Sequence, residues 1–257
     1  MSRSIFLSLV TLILVISKSL GQENLHFSVD RPGIADLPTT VPVGSLQIES
    51  GLEYYKRENF ETYFLPTMLL RTGITKDIEA RITTRYLRVD SSNDAHGTKG
   101  DVGFSADIKA KFIHEKDFLP SAAIVGGYNF ASVVAPQLRH PLQGFYSFLL
   151  MEDNLHDKVI FNYNVGIIWG GTATPTTMYA FCFEIELHQN ASVFIEQSSF
   201  YNSGEKDDHW LNFGYTHLVA KHSQMDFSVG RNFNGGDAEY FIALGYSTRL
   251  SFKGTPK

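Results

Sequence analysis

Long runs in which apolar and polar residues alternate constrain this chain more than any other feature. In "VIFNYNVGIIWGG", residues 159–171, every second residue from Val159 to Trp169 is apolar or aromatic. The residues between them include Asn162, Asn164 and Gly166. A period of two predicts a β-strand with one dry face and one wet face. The open question is whether the dry face meets a protein core or lipid.

Twelve segments carry this pattern and predict strands. They span residues 45–56, 62–75, 78–89, 101–114, 119–130, 144–152, 158–170, 176–188, 191–202, 209–220, 224–232 and 239–252. Three are less regular: 62–75 contains Pro66, which cannot donate to a ladder and predicts a bulge, 144–152 is apolar on both faces, and 224–232 is short. No segment predicts a helix within the folded part of the chain.

The first 21 residues predict a cleavable signal peptide, with an uncleaved anchor as the alternative. Arg3 precedes an apolar run over residues 5–16, and small residues precede a cleavage point before Gln22. The apolar run is too short to span a bilayer, and no later segment approaches ~18 consecutive apolar residues. We therefore expect a signal peptide over 1–21, an N-terminal arm over 22–44 and a β-barrel over 45–257.

Composition excludes several classes of function. The chain has a net charge of −5, and the expected signal peptide holds two of its basic residues, so the mature chain is more acidic still. This argues against a nucleic-acid partner. Cys182 is the single cysteine, which excludes an intrachain disulfide, and the nine histidines are scattered, so we expect neither a metal site nor a cofactor.

The lengths of the connections alternate along the chain. Connections after even-numbered strands are short ("TKD", "HEKDF", "EDNLHD", "HQNA", "AKHSQM"), whereas most of those after odd-numbered strands are longer ("VDSSNDAHGTKG", "NFASVVAPQLRHP", "GGTATPTT", "NSGEKDDH", "NFNGGDAE"). Short turns at one end, longer loops at the other and an even strand number are typical of outer-membrane barrels. The pattern predicts an all-β fold, a transmembrane antiparallel up-and-down β-barrel of about 12 strands, in the outer membrane of a Gram-negative bacterium.

Aromatic residues fall where such a barrel meets the lipid boundary. Those expected at the outer strand ends are Tyr54, Tyr86, Trp169, Tyr179 and Tyr240, and those at the periplasmic ends are Phe112 and Phe252. Rings at these positions form the aromatic girdles of membrane barrels. Chance is the alternative, because aromatic residues make up 13% of the chain.

The stretch "DRPGIADLPTTVPVGSLQIESG", residues 30–51, resembles the start of bacterial outer-membrane proteins described as "putative MetA-pathway of phenol degradation" or "transporter". The matching positions are Asp30, Arg31, Pro32, Pro38, Thr40, Val41, Pro42, Gly44, Gln47, Glu49 and Gly51; Leu37 departs from the usual small hydroxyl residue. "FLPTMLLRTGITKDIEARI" and "GDVGFSADIKAKF" are similar to later strands of the same family. The resemblance implies an outer-membrane barrel with a transport role and establishes no chemistry.

The wet faces of the strands are rich in charge and form the candidate site. The residues expected to line the lumen are Glu49, Glu53, Glu79, Arg81, Arg85, Asp107, Lys109, Lys111, Glu184, Glu186, Glu196, Asp226 and Arg249. They fit either a water-filled channel that selects solutes or an interior closed by ion pairs. The near balance of acidic and basic residues favours the closed interior.

The arm, residues 22–44, contains three prolines and no alternation, so it cannot be a thirteenth strand. We expect it to fold into or under the periplasmic mouth of the barrel, where Asp30 and Arg31 pair with lumen charges such as Arg249 and Glu49. A disordered periplasmic leader is the alternative.

These patterns favour a non-enzymatic passive channel or transporter for small solutes, hydrophobic or aromatic ones included. Its expected partners are outer-membrane lipid, lipopolysaccharide, an unidentified solute and the machinery that inserts barrels. A structural or adhesive barrel is one alternative. An outer-membrane hydrolase is another, with the outward His217 or the loop residues Asp207, Asp208 and His209 as candidates.

Overall fold

The computed structural model describes residues 27–57, 60–91, 94–116, 118–130, 144–170, 175–201, 207–234 and 239–252. Side chains within 91–103 are described only at residue 99. The expected signal peptide, residues 22–26 of the arm and parts of several loops lie outside these ranges. Among the described residues, no helix is long and apolar enough to cross a membrane.

Twelve strands make up the fold. They are β1 (Ser45–Arg57), β2 (Phe60–Gly73), β3 (Ile78–Ser91), β4 (Asp94–Ile113), β5 (Ser121–Phe130), β6 (Gly144–His156), β7 (Val159–Gly170), β8 (Thr176–His188), β9 (Ala191–Tyr201), β10 (Asp208–Ala220), β11 (Ser223–Asn232) and β12 (Tyr240–Ser251).

Each strand pairs antiparallel with its neighbours in sequence, and β1 pairs with β12 to close the barrel. The closing ladder runs from Ser45 opposite Ser251 to Lys56 opposite Tyr240. Closure leaves no free sheet edge, and a barrel in lipid needs this because hydrocarbon offers no partner to backbone N–H and C=O groups. The predicted fold class and strand number are confirmed.

The β3–β4 hairpin is longer than its sequence predicts. The polar stretch "VDSSNDAHGTKG" reads as a loop, but β3 continues to Ser91 and β4 begins at Asp94. Val89 pairs with Thr98, and Ser91 pairs with Asp94. A strand is predicted from its apolar face. The part of a hairpin that extends beyond the lipid needs no apolar face, so the alternation of apolar and polar residues ends before the strand does.

The barrel is apolar outside and charged inside. On the outer surface, Leu52, Ile108, Val165 and Leu244 are each between 44% and 55% exposed. On the same strands or their neighbours, Glu49 and Lys109 face the lumen and are fully buried. This inversion of a soluble core answers the question raised by the alternating runs: the dry face meets lipid.

The residues expected to form the girdles lie on the outer surface at the strand ends. Trp169 and Phe252 are 50% and 59% exposed, at opposite ends of the barrel. At the loop end, the Tyr54 ring centroid lies 5.1 Å from that of Tyr63 and 6.0 Å from that of Tyr240. Such clusters suit the boundary where an aromatic ring contacts both lipid and water.

The predicted irregularity at Pro66 is a bulge in β2. The register against β3 shifts between Phe64 and Thr67, so Leu65 and Pro66 have no ladder partner there. The bulge changes which residues face inward: Phe64 faces the lumen opposite Glu53, and after the bulge the lumen positions are Thr67, Leu69 and Arg71. The inward set therefore switches from even to odd numbers within one strand.

The facing of β4 can be tested with two arginine substitutions. Ile108→Arg places a charge in lipid near mid-strand, and such a substitution costs about 2–4 kcal/mol near the bilayer midplane. Ser105→Arg, three residues away and facing the lumen, should cost much less. Folding titrations into lipid vesicles measure both free energies, and equal losses would contradict the facing assigned here.

Candidate functional site

The arm enters the barrel at the end that carries the short turns. Thr40 Oγ1 donates to the carbonyl of Lys76 in the β2–β3 turn (2.8 Å), and Val43 forms an isolated parallel bridge with Gly73. From there residues 27–42 lie within the lumen, where Phe27, Asp30 and Val41 are buried. In outer-membrane barrels the short turns face the periplasm, so the arm fills the lumen from the periplasmic side.

The carboxylate of Asp30 is the main charged contact between the arm and the barrel. Lys109 Nζ lies 2.8 Å from Oδ2, Arg81 Nη1 lies 2.9 Å from it, and Arg71 Nη1 lies 3.3 Å from it. The other oxygen, Oδ1, accepts the backbone N–H of Leu37 (3.1 Å), which closes the arm on itself. One arm residue therefore joins three barrel strands, β2, β3 and β4.

The cations around Asp30 keep it ionised. Burial alone would raise its pKa, but the charges of Arg71, Lys109 and Arg81 together hold the pKa well below the ordinary value of 3.8. A group whose pKa is lowered in the docked state stabilises that state fully above its ordinary pKa. The contribution of Asp30 is therefore complete at neutral pH and is lost only in strong acid, as the pH falls through the lowered pKa.

Alternate residues of β1 receive successive residues of the arm. Gln47 Nε2 donates to the carbonyl of Ser28 (2.8 Å), and Glu49 Oε2 accepts the backbone N–H of Asp30 (3.0 Å). Gly51 comes next on the same face, and a Cβ built there would lie 2.1 Å from the Arg31 guanidinium carbon. The Gln-x-Glu-x-Gly pattern thus forms the surface of β1 on which the arm packs, and its glycine leaves space for the Arg31 side chain.

Arg31 lies across the seam between β1 and β12. Its Nη1 donates to Glu53 Oε1 (2.9 Å), and its Nη2 lies 3.6 Å from Asp226 Oδ1. Gly245, which pairs with Gly51, would also clash with Arg31 if it carried a Cβ. Burial alone would lower the pKa of Arg31, but Asp226 and Glu53 raise it above its ordinary value, so the guanidinium stays charged.

Glu196 and Asn164 hold the arm on the opposite wall. The Glu196 carboxylate accepts the backbone N–H of Ile34 (2.9 Å) and of Ala35 (2.8 Å), and Asn164 Nδ2 donates to the carbonyl of Asp36 (3.1 Å). Since these residues lie on β9 and β7, the arm spans the lumen from wall to wall.

Arg71 and Glu79 fix the arm nearer to the mouth. Arg71 Nη2 donates to the carbonyl of Thr39 (2.9 Å), and Glu79 Oε2 accepts the backbone N–H of Val41 (2.6 Å). Arg71 also pairs with Glu79 (3.0 Å) and with Glu49 (2.8 Å). The barrel charges that contact the arm thus also pair with each other, as expected for a buried ionic network.

Two cavities lie on either side of the arm. The outer cavity, toward the loops, has a volume of about 460 Å³; the inner cavity, toward the turns, has a volume of about 110 Å³. Both are lined by Asp30, Arg31, Pro32 and Gly33. This four-residue segment, called the partition below, is thus shared by the two cavities.

The walls of the outer cavity are aromatic. Tyr55 is the centre of one ring cluster, with centroids 5.2 Å from Phe241, 5.7 Å from Phe64 and 6.0 Å from Trp210. Tyr146 and Phe148 supply two further rings on the opposite wall, 5.6 Å apart. The outer cavity therefore combines apolar walls with a charged floor formed by the arm and its partners.

The residues proposed from sequence for the lumen lie on its wall, but their surroundings differ. Glu49, Glu53, Glu79, Arg81, Asp107, Lys109, Glu196 and Asp226 contact the arm or the cations that hold it. Arg85 lines the outer cavity and Glu184 lines the inner one. Lys111 and Glu186 lie nearer the turns, on β4 and β8.

The expected partners of the arm charges differ in part from those in the structure. Glu49 contacts Asp30 through the backbone N–H, and Arg31 pairs with Glu53 and Asp226 instead of Glu49. Arg249 donates to Gln47 Oε1 (2.9 Å), and its guanidinium lies 5.0 Å from the Phe27 ring. The carboxylate of Asp30 is closer to β2–β4 than to β12, so it does not reach Arg249.

Sequence reasoning missed Arg71 and the aromatic lining of the lumen. In β2 the inward positions change from even to odd numbers at the bulge. An alternation continued without a break through Pro66 therefore assigns Arg71 to the outer face. The alternation does not predict the inward rings of Tyr55, Phe64 and Phe241, because it assigns apolar side chains to the lipid face.

The candidate catalytic residues have structural partners instead. Asp208 accepts hydrogen bonds from Arg57 Nη2 (2.9 Å) and Asn232 Nδ2 (2.8 Å), and His209 Nδ1 lies 2.7 Å from Ser199 Oγ. His217 Nδ1 lies 3.0 Å from the hydroxyl of Tyr215. Within the described residues, no group of three or more His, Cys, Asp or Glu side chains is placed to hold a metal ion.

A family profile described as "Putative MetA-pathway of phenol degradation" matches residues 29–250, a span that runs from the arm through the last strand. The chain belongs to this family. The resemblance read from the arm motif is thereby confirmed. A comparison with curated proteins gives no significant match.

Solved structures of outer-membrane channels share the fold. An outer-membrane channel from Pseudomonas putida F1 has a TM-score of 0.68 at 12% identity, covering 86% of this chain and 99% of that one. The KdgM porin (8% identity, 79% and 99% covered) and the NanC porin (7%, 79% and 100%) both have TM-scores of 0.56. Fold and family together place this protein in the bacterial outer membrane.

The role of Asp30 in docking can be tested with Asp30→Asn. The substitution removes the carboxylate charge that three buried cations share, and removing one partner from a buried ion pair costs about 3–5 kcal/mol. Slow proteolysis follows the fraction of molecules in which the arm has left the lumen. In detergent, the arm of the variant should therefore be cleaved at least about tenfold faster than the arm of the wild type. Asp36→Asn is the control and should speed cleavage less, because Asp36 is 26% exposed and, within the described part of the chain, forms an ion pair with Arg81 alone. Equal cleavage rates for the wild type and both variants would contradict this assignment.

Proposed function

We propose that the protein is a passive outer-membrane channel for small solutes, hydrophobic and aromatic ones included, and that its arm narrows the path. The observation that carries this proposal is the pair of cavities separated by the partition. The segment Asp30–Gly33, which lines both cavities, lies between a solute in the outer cavity and the inner cavity.

The aromatic walls support the choice of solute. A ring-bearing solute that leaves water for the space between Tyr55, Phe241 and Phe148 exchanges hydration for contact with other rings. A small sugar would lose hydrogen bonds against the same walls. The structurally similar protein from P. putida is an outer-membrane channel, which agrees with a transport role here.

The surroundings of the barrel follow from its location. We infer that its apolar belt contacts outer-membrane lipid, that its loop end contacts lipopolysaccharide, and that the barrel insertion machinery assembles it. We propose no enzymatic activity and no cofactor. The hydrogen bonds of Asp208, His209 and His217 support this, because structural contacts already engage the candidate catalytic groups.

A structural or adhesive barrel is the competing function, and conductance separates the two. Deleting residues 24–40 removes the partition and the contacts of Asp30 while all twelve strands remain. The deletion variant should stay a folded, heat-modifiable barrel and should conduct several times more current than the wild type in planar bilayers. The wild type itself should show a small conductance through the narrowed path.

A deletion of residues 22–26 is the matched control, because it leaves every arm contact described above in place and should leave the conductance unchanged. If the longer deletion conducts no more than the wild type, the arm does not limit passage. A wild type that neither conducts ions nor binds any aromatic solute would favour the structural barrel.

A further inference from the structure

Arg85 lies at an irregular point of the barrel wall. Its β2 partner is Thr67, the first paired residue after the Leu65–Pro66 bulge. On its other side the register against β4 shifts between Thr84 and Tyr86, so that two β4 residues, 102 and 103, lie opposite Arg85. Bulges of this kind alter the direction in which a side chain points. The exposed side chain of Arg85 lines the outer cavity.

The acidic residues that line the outer cavity already have partners. Asp30, Asp36 and Asp107 contact Arg81, Glu49 contacts Arg71, and Glu53 contacts Arg31. Among the described residues, by contrast, Arg85 forms no hydrogen bond or ion pair. As far as the described residues line it, the outer cavity therefore contains one guanidinium whose hydrogen-bond donors have no protein partner.

The space beside this guanidinium suits a ring. The cavity volume of about 460 Å³ lies within the range of small-molecule sites. Phe64 and Tyr55, which form an edge-to-face pair, lie on the neighbouring strands β2 and β1. Since a single free guanidinium pairs best with one planar carboxylate, in a bidentate arrangement, the charge complement is a monoanion.

We propose that the outer cavity binds small aromatic carboxylates, with the carboxylate on Arg85 and the ring against Tyr55, Phe64 and Phe241. This inference rests on the proposed function and names the solute class of the same lumen. Arg85 determines the preference for a carboxylate over a neutral group. The aromatic walls contact the ring of a charged and of a neutral solute alike.

The test compares benzoate with benzyl alcohol, which has a similar ring and no charge. Titration calorimetry on the purified full-length protein in detergent should show that benzoate binds at least about tenfold more tightly, as one hydrogen-bonded charge implies. Arg85→Gln should remove this preference and leave benzyl alcohol binding unchanged. Arg85→Lys, which keeps the charge without the bidentate fork, should retain part of it.

Arg88→Gln is the matched control. Arg88 lies three residues further along β3 and pairs with Asp90 (2.9 Å), away from the cavity lining, so its loss should not change benzoate binding. Equal affinity of the wild type for both probes would overturn the carboxylate class. A benzoate preference that survives Arg85→Gln would overturn the role of Arg85, and binding of neither probe would overturn the site. Each of these failures leaves the conductance tests of the channel itself unaffected.

Discussion

The contact between the Asp30 carboxylate and the three cations Arg71, Arg81 and Lys109 determines how the rest of the lumen is arranged. All four groups are buried, and ions of one sign cannot remain in such a place without a counter-charge. The barrel wall supplies the cations on β2, β3 and β4, and the arm supplies an anion that they share. Without the arm, Glu49, Glu79 and Asp107 would still balance the formal charge of the three cations, but Lys109 would lose the carboxylate at 2.8 Å and keep the more distant Glu79 at 3.5 Å. The arm is therefore part of the electrostatics of the wall, and its position is not incidental to the fold.

The contacts of the arm also give a structural role to the motif residues that carry the resemblance in the sequence. Gln47, Glu49 and Gly51 occupy alternate positions on one face of β1, and each contacts or makes room for a residue of the arm. The motif runs from the arm into β1, and its residues in the two segments contact each other in the folded protein. The arm in turn lies between an aromatic outer cavity and a smaller inner one.

The sequence predicted the barrel because lipid requires a strict alternation along every membrane-spanning strand, and Asn162, Asn164 and Val165 obey it. Outside the membrane-spanning parts of the strands, where lipid does not require alternation, the sequence predicted the structure less completely. The β3–β4 hairpin extends beyond the apolar belt, and the β2 bulge hides the inward facing of Arg71. The partners of Arg31 and Arg249 depend on where an irregular segment lies in three dimensions, and no periodicity specifies that. The inward rings of Tyr55 and Phe241 were missed because an apolar residue on a lumen face breaks the rule that otherwise identifies the strand.

Amide hydrogen exchange tests the docked arm most directly. Five arm amides donate to buried side chains: those of Asp30, Ile34, Ala35, Leu37 and Val41. In the purified full-length protein these amides should exchange slowly, at rates comparable with those of β1, because exchange requires the arm to leave its contacts in the lumen. Complete exchange of the arm within seconds at neutral pH, with the strands still protected, would show a disordered leader and contradict the account.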